Sequence, residues 1–162
     1  MIPAIRGTHD ILPNEVGRWQ RLESVIRDLC ERYGYQEIRT PVIEREELFA
    51  KGTGETTDIV QKEMYTFEDK SGERVTLRPE ATPSMVRTFV EHGLEQHLPT
   101  VKLFSLGPMF RYERPQKGRQ RQFHQYGIEA IGSPHPEQDA EIIALAYRIY
   151  TDFGIKEMTV KL

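Results

Sequence analysis

The spacing of apolar residues predicts two long amphipathic helices. Over residues 15–33 the apolar side chains recur every three or four positions, which is the period of one helix face. They are Trp19, Leu22, Ile26, Leu29, Cys30 and Tyr33. We predict Asn14 as the N-cap of this helix and Gly34 as its C-terminal stop. A second stripe over residues 137–153, before Gly154, contains Ile142, Ala146, Ile149, Tyr150 and Phe153.

Two shorter helices are predicted between the long ones. The first runs from Glu46 to Lys51, and the second from Thr82 to His92-Gly93. Thr82-Pro83 has the form of an N-cap followed by proline at the first helical position. Gly52-Thr53-Gly54 lacks the third glycine of a dinucleotide-binding loop, so we predict an ordinary loop there.

Alternating polar and apolar residues predict several strands. Residues 64–68 and 74–78 alternate around the turn sequence Asp69-Lys70-Ser71-Gly72, which favours a β-hairpin. A short strand is predicted over residues 38–40, closed by Pro41, because proline suits a strand end. Further strands are predicted over residues 101–107, 108–114 and 121–131. The mixture of helices and strands predicts an α+β fold with an antiparallel sheet flanked by helices.

The last segment, residues 156–162, also has strand character. No turn or polar tail follows it, and an unfinished edge strand is unusual in a complete natural domain. We therefore expect residues 1–162 to be part of a longer protein, with a sheet that is incomplete at the C-terminal end.

Composition limits the class of protein. The chain has 162 residues, 38% of them hydrophobic and 29% charged, which suits one soluble domain. Its single cysteine excludes an internal disulfide and suits a reducing compartment. The N-terminus lacks the features of a signal peptide, and no apolar run approaches the ~20 residues of a membrane span. We expect a cytoplasmic protein without a membrane partner.

Residues 111–121 are positively charged, although the whole chain has a negative net charge. The formal net charge is −3, yet residues 111–121 contain one acid, Glu113, and five bases, Arg111, Arg114, Lys117, Arg119 and Arg121. These bases lie at the adjoining ends of two predicted strands and in the segment between them, so they surround the loop of a hairpin. Guanidinium groups match the geometry of phosphate oxygens, and the hairpin therefore suits a polyanionic ligand.

Side-chain alternation sorts this hairpin into two faces. Because successive strand residues point to opposite sides, Arg111 and Glu113 share one face of the outgoing strand. The matching face of the returning strand carries Phe123, Gln125, Gly127 and Glu129. Together they offer a phosphate fork, an aromatic surface for a base, and room for close approach. The alternative is a solvated sheet face on which these charges have no function.

The segment Thr76 to Thr82 offers a second polar set. Thr76, Arg78 and Glu80 share one parity, and Glu80 with Thr82 could bind the ammonium group of a substrate. The alternative is structural, since Thr82 suits an N-cap and an acidic Glu80 stabilises a helix N-terminus.

These segments together resemble the N-terminal part of the histidyl-tRNA synthetases, which are class II aminoacyl-tRNA synthetases. The opening Ile5-Arg6-Gly7-Thr8-His9-Asp10-Ile11-Leu12-Pro13 is similar to the start of that family. Tyr35 to Pro41 resembles class II motif 1, which implies a homodimer interface. Residues 110–114 with 121–125 resemble motif 2, and RPQKGRQRQFHQ is far more specific than the general class II pattern. Residues 76–82 resemble the amino-acid-binding segment of the family.

The resemblance implies roles for the residues that bind ATP. Arg111 would bind the α-phosphate and stabilise charge during attack, as the catalytic residue. Glu113 would contact the adenine amino group and Phe123 would stack on the ring, while Arg119 would approach the phosphates. Mg²⁺ would bridge the phosphates. No metal site of the protein itself is expected, since His92, His97, His124 and His135 lack metal-ligand spacing.

The resemblance also implies an amino-acid site. Glu80, Thr82 and Gln125 would hold the α-amino group of L-histidine, and Glu129 would accept a hydrogen bond from its imidazole. The implied reaction is ATP-dependent formation of histidyl-adenylate and transfer of histidine to tRNA(His). Sites that hydrogen-bond a polar side chain reject analogues lacking it by roughly 10⁴–10⁵, so Glu129 is the candidate for selectivity.

Other parts of such an enzyme have no counterpart in residues 1–162. No segment matches motif 3, the histidine-binding segment with its arginine, or the anticodon-binding domain. The expectation is therefore the first portion of a catalytic domain, with little or no full aminoacylation activity. Three alternatives remain open. They are a histidyl-synthetase-like regulatory subunit of ATP phosphoribosyltransferase, another class II synthetase, and a structural fragment kept for its dimer surface.

Overall fold

A computed structural model describes residues 1–53, 62–96 and 99–161 of the chain. The helices are α1 (Pro13–Arg32), α2 (Glu46–Thr53), α3 (Thr82–Glu91) and α4 (Pro136–Asp152), with a short 3₁₀ turn at Leu94–Gln96. The strands are β1 (Gln36–Glu37), β2 (Ile43–Arg45), β3 (Tyr65–Glu68), β4 (Arg74–Leu77), β5 (Val101–Phe110) and β6 (Gln122–Ile131). The predicted α+β class is confirmed. Within these ranges, no helix is long and apolar enough to cross a bilayer.

The strands form two sheets of three strands each. In the first, of order β1-β5-β6, β1 lies parallel to β5, with Gln36 opposite Leu103. In the second, of order β2-β4-β3, both pairs are antiparallel, and Ile43 and Tyr65 both lie opposite Leu77. The predicted hairpin over residues 64–78 is therefore confirmed as β3 and β4.

The chain divides into two compact units. The first comprises Met1–Asp10, Arg39–Gly93 and Ser105–Gly127, and its core contains Phe49, Met85 and Met109 at 0% exposure. The second comprises Ile11–Ile38, Leu94–Phe104 and Ile128–Leu162. Its buried apolar side chains come mainly from both long helices and from β5; they include Ile26, Leu29, Cys30, Phe104, Leu145 and Ile149.

Both long helices are confirmed, and the predicted caps are partly wrong. Gly34 and Gly154 follow α1 and α4 with φ of +81° and +82°, a conformation that favours glycine. The N-cap of α1 is Leu12 rather than Asn14, because Pro13 suits the first helical position, where no N–H partner is needed. Likewise Ala81 caps α3, and Thr82 is already its first residue.

The strand predictions fail where pairing over long distances decides the structure. The strand predicted at residues 38–40 lies at Gln36–Glu37, and the two strands predicted between residues 101 and 114 are one continuous strand ending at Phe110. Ile43–Arg45 is a strand that the sequence pattern did not indicate. Residues 156–161 belong to no strand, because apolar alternation alone supplies no hydrogen-bonding neighbour. Leu162 lies outside the described residues. The predicted loop at residues 52–54 is wrong for Gly52 and Thr53, which end α2, and Gly54 lies outside the described residues.

A polar cluster joins α4 to β5 within the second unit. Lys102 Nζ donates to both carboxylate oxygens of Glu141 at 2.7 and 2.9 Å. The Tyr35 hydroxyl donates to Glu141 at 3.1 Å and accepts from Gln138 at 3.0 Å. Burial, with the neighbouring Glu141 carboxylate, raises the pKa of Tyr35. Burial also raises the pKa of Cys30 to about 11, so this cysteine is a packing residue and not a thiolate.

Candidate nucleotide and amino-acid site

The predicted hairpin is formed by β5, β6 and the motif 2 loop, residues 111–121. The backbone N–H of Arg111 donates to the carbonyl of Arg121 at 3.0 Å, which closes the base of this loop. At the tip, Gln116 and Arg119 exchange backbone hydrogen bonds of 3.2 and 2.9 Å. Gly118, with φ of +80°, makes the reversal between them possible. The loop thus contains a tight turn of its own at its tip.

Arg111 is held at the base of the loop. Its Nε donates to the carbonyl oxygen of Pro79 at 2.9 Å, and its guanidinium carbon lies 5.2 Å from the ring centre of Phe123. Because one side of the fork is fixed, the group has a defined orientation. The structure therefore brings together two of the predicted ATP-binding residues, a cation for phosphate and an aromatic ring for a base.

Glu113 and Arg119 contact each other. Arg119 Nη1 lies 3.0 Å from Glu113 Oε2, with 59% and 12% of the two side chains exposed. The sequence predicted different partners for them, the adenine amino group and the phosphates. Strand alternation could not predict this contact, because β5 ends at Phe110 and Glu113 lies beyond its last residue. A nucleotide bound as predicted would have to replace this ion pair, which is partly exposed and therefore weak.

The amino-acid-binding segment lies between β4 and α3. Pro79 contacts Arg111 through its carbonyl, and the half-buried Glu80 and the exposed Thr82 follow at the start of α3. From the other side, Gly127 of β6 approaches the same helix. A Cβ atom at Gly127 would lie 3.4 Å from the Cβ of Ala81 and 3.7 Å from the Sδ of Met85. Any side chain here would therefore fill the space between β6 and the start of α3.

Gln125 presents a buried acceptor without a donor. Its Oε1 atom is inaccessible to solvent and has no hydrogen-bond partner in the part of the chain that the structure describes. A buried acceptor of this kind costs about 1–3 kcal/mol when it stays unpaired. An ammonium group is a strong donor and would satisfy it, which fits the role predicted for Gln125. Glu129 also lies on β6 but belongs to the second unit, so its contact with imidazole stays a prediction.

Sequence reasoning missed residues that support the site. Arg121 stacks on Tyr112, with its guanidinium carbon 4.3 Å from the ring centre, and its backbone N–H donates to the carbonyl of Gly7 at 2.7 Å. Tyr112 in turn meets Tyr65 edge to face at 5.5 Å. The only signal for this role of Gly7 was the presence of a glycine in the opening segment, and its partner Arg121 lies far along the chain.

Comparison with known proteins identifies the family. The family model described as Histidyl-tRNA synthetase matches residues 7–162. The chain belongs to the histidyl-tRNA synthetase family. The predicted resemblance is therefore confirmed over essentially the whole chain.

The curated relatives are named histidine–tRNA ligase. Histidine–tRNA ligase of Geobacillus thermodenitrificans is 61% identical over 155 residues, and that of Moorella thermoacetica is 59% identical over 157 residues. These matches cover 94% and 97% of this chain but only 36% and 37% of the relatives. The chain thus spans little more than a third of their length. Among the alternatives, the synthetase family is favoured over the regulatory subunit.

Solved structures agree on the fold. The apo histidyl-tRNA synthetase of S. aureus matches with a TM-score of 0.81 and 42% identity, covering 96% of this chain and 36% of that one. A Bacillus halodurans protein described as an ATP phosphoribosyltransferase regulatory subunit/histidyl-tRNA synthetase matches with a TM-score of 0.82. At 24% identity, the second match supports the fold alone.

Proposed function

We propose that this chain is the N-terminal part of the catalytic domain of a cytoplasmic histidine–tRNA ligase. The supporting observation is a set of three side chains on the motif 2 loop and β6, within the first unit. It combines the oriented guanidinium of Arg111, the ring of Phe123 and the orphan acceptor of Gln125. A phosphate fork, a base-stacking surface and an ammonium acceptor are what ATP and an amino acid require together.

The reaction proposed is adenylation followed by transfer. The carboxylate of L-histidine attacks the α-phosphorus of ATP, pyrophosphate leaves, and the histidyl group then passes to tRNA(His). Attack at phosphorus needs no protein nucleophile, so positioning and charge stabilisation supply the catalysis. Arg111 stabilises the charge that develops on the α-phosphate.

The other predicted residues are proposed to hold the substrates. Phe123 stacks on adenine, Glu113 accepts from its amino group, and Arg119 moves from Glu113 to the phosphates. On the amino-acid side, Glu80, Thr82 and Gln125 hold the ammonium group and Glu129 accepts from the imidazole. Within the described ranges no group of three His, Cys, Asp or Glu side chains could hold a metal. Mg²⁺ is proposed to arrive with ATP, where it neutralises phosphate charge.

Histidine-dependent exchange of pyrophosphate into ATP tests the proposed function. The full-length protein should exchange with L-histidine and not with L-glutamine as a matched control. The isolated 162-residue chain should exchange at least ~10²-fold more slowly, since misplaced or missing groups cost that much or more. Exchange that ignores the identity of the amino acid would contradict the proposed specificity. An equal rate for the isolated chain would contradict the incomplete-site proposal.

The proposed homodimer is supported by an exposed apolar sheet face directly after the motif 1 proline, Pro41. From the pairing register, one face of the second sheet carries five apolar residues and one charged one: Ile43, Tyr65, Phe67, Val75 and Leu77, with Arg45, which pairs with Glu73. Ile43 and Phe67 are 51% and 46% exposed, whereas Thr76 on the opposite face is fully buried. Apolar patches of this kind mark interaction surfaces. We propose a second copy of the chain as the occupant, because this face continues the motif 1 segment.

A charged substitution on this face tests the dimer. Phe67→Glu is expected to convert the full-length dimer to monomer, because an unpaired carboxylate would be buried in a self-complementary interface. Molar mass from light scattering coupled to size exclusion measures the effect, with Lys70→Glu, in the exposed β3–β4 turn, as the charge control. A Phe67→Glu protein that stays dimeric would assign this face to another part of the polypeptide.

A further inference from the structure

The opening segment of the chain folds against the motif 2 loop. Residues 5–8 form a turn in which Thr8 donates to the carbonyl of Ile5 from its backbone N–H at 3.0 Å and its hydroxyl at 2.7 Å. This turn presents the carbonyl of Gly7, which accepts from the backbone N–H groups of Arg121 at 2.7 Å and Gln122 at 3.3 Å. The turn therefore contacts the motif 2 loop where it enters β6.

Two independent features require glycine at position 7. Its φ is +87°, in the region that side chains disfavour. In addition, a Cβ atom there would lie 2.9 Å from the Cγ of Arg121 and 2.9 Å from the Cγ of Pro115. Pro115 lies on the outgoing side of the motif 2 loop and Arg121 on the returning side. Gly7 thus packs closely against both sides of the loop.

This contact connects the N-terminus to the predicted phosphate fork. Gly7 holds the N–H of Arg121, and the carbonyl of Arg121 holds the N–H of Arg111 at 3.0 Å. A shift at Gly7 would therefore pass through one residue, Arg121, to the backbone of Arg111. The same shift would move Pro115 and change the path of the loop toward Arg119.

We propose that Gly7 is a positioning residue for ATP. The proposal rests on the proposed function, because it assigns Gly7 to the same site. Gly7 does not touch the nucleotide; it sets the base of the motif 2 loop, so that Arg111 and Arg119 reach the triphosphate. The amino-acid-binding segment around Glu80 lies one step further along this path, because Pro79 contacts the side chain of Arg111, so histidine binding is expected to depend less on this turn than ATP binding does.

Gly7→Ala has a matched control in Gly72→Ala. Gly72 has nearly the same φ, +85°, but an added Cβ there meets nothing within 4 Å. The backbone strain is the same in both variants, and only Gly7→Ala displaces the loop. In the full-length protein, Gly7→Ala should raise KM for ATP about tenfold, below the ~10²-fold loss that an ångström of misplacement can cause. KM for histidine should stay within about twofold, and Gly72→Ala should change neither.

Limited trypsin digestion gives a second readout, which does not depend on ATP. Cleavage after Lys117, at the exposed tip of the loop, should accelerate in Gly7→Ala but not in Gly72→Ala. Acceleration at all sites, with an equal rise of both KM values, would overturn the proposal in favour of a general folding role. An unchanged KM for ATP in an active Gly7→Ala protein would overturn the role of Gly7 and leave the proposed function standing. A wild-type protein without exchange activity would overturn the proposed function, and the role of Gly7 with it.

Discussion

Replacing Arg78 by methionine is expected to lower the free energy of unfolding by about 3 kcal/mol. Arg78 is buried, at 4% exposure, and its guanidinium donates from Nε to the carbonyl of Pro108 at 3.0 Å. From Nη1 it donates to the carbonyl and the hydroxyl of Thr40 at 2.9 and 3.1 Å. Methionine keeps the apolar stem but removes these donors, so buried carbonyls lose their partners. Thermal unfolding measures the effect, as a drop of about 10 °C for a domain of this size.

The backbone of Arg78 explains why the effect should be large. Its N–H donates to the carbonyl of Val42 at 2.9 Å, and its carbonyl accepts from the N–H of Phe110 at 3.0 Å. Through backbone and side chain, Arg78 thus joins the end of motif 1 to the strand that enters motif 2. Burial lowers the pKa of Arg78, while the charge of Glu44 opposes that shift, and an arginine remains charged throughout the useful pH range.

Two further variants test whether the effect is specific to the buried guanidinium of Arg78 and does not follow from the loss of any arginine. Arg32→Met removes an exposed pair with Asp28 on α1 and should cost less than about 0.5 kcal/mol. Gly107→Ala should destabilise the wild type, because its Cβ would lie 2.6 Å from Nη2 of Arg78. That cost should largely disappear in the Arg78→Met background. Equal costs of Gly107→Ala in both backgrounds would contradict the idea that the guanidinium needs the space at Gly107.

The sequence predicted the helices well, because their signals are local. The apolar stripes of α1 and α4 and the glycines at positions 34 and 154 lie within the helices or directly after them. Strands were predicted less well, since a strand depends on a partner elsewhere in the chain. Ile43–Arg45 has only three residues, and its register comes from pairing with β4. Residues 156–161 have the composition of a strand without a paired neighbour in the described structure.

The candidate site shows the same division. Alternation placed Arg111 and Phe123 on one side, and the structure brings them within cation–π distance. Alternation failed for Glu113, which lies beyond the strand and pairs with Arg119. Gly7 and Pro79 were missed because both act through backbone carbonyls, and every residue type has a backbone carbonyl. The chemistry of the side chains was therefore predictable, whereas their supports were decided by tertiary contacts.

Arg111→Ala is expected to lower kcat/KM for histidine-dependent ATP–pyrophosphate exchange about 10³-fold in the full-length protein. The guanidinium is the group proposed to bind the α-phosphate and to meet charge as it develops there, so its loss should lower kcat and also raise KM for ATP. Its fixed hydrogen bond to Pro79 means that a neighbouring arginine cannot take its place without rebuilding the segment before Glu80. Steady-state exchange kinetics with varied ATP and histidine measure both parameters.

Arg111→Lys and Lys117→Ala separate a directed fork from diffuse positive charge. Lysine keeps the charge but loses the planar pair of donors, so Arg111→Lys should recover no more than about tenfold of the loss. Lys117→Ala removes one charge from the exposed tip of the same loop, where solvent screens it, and should change kcat/KM by about twofold at most. If Lys117→Ala matched Arg111→Ala, the loop would act through its net charge. If the isolated chain bound ATP equally well with and without Arg111, the structural account of the hairpin would hold instead, because a fork that contacts the α-phosphate cannot be removed without loss of affinity.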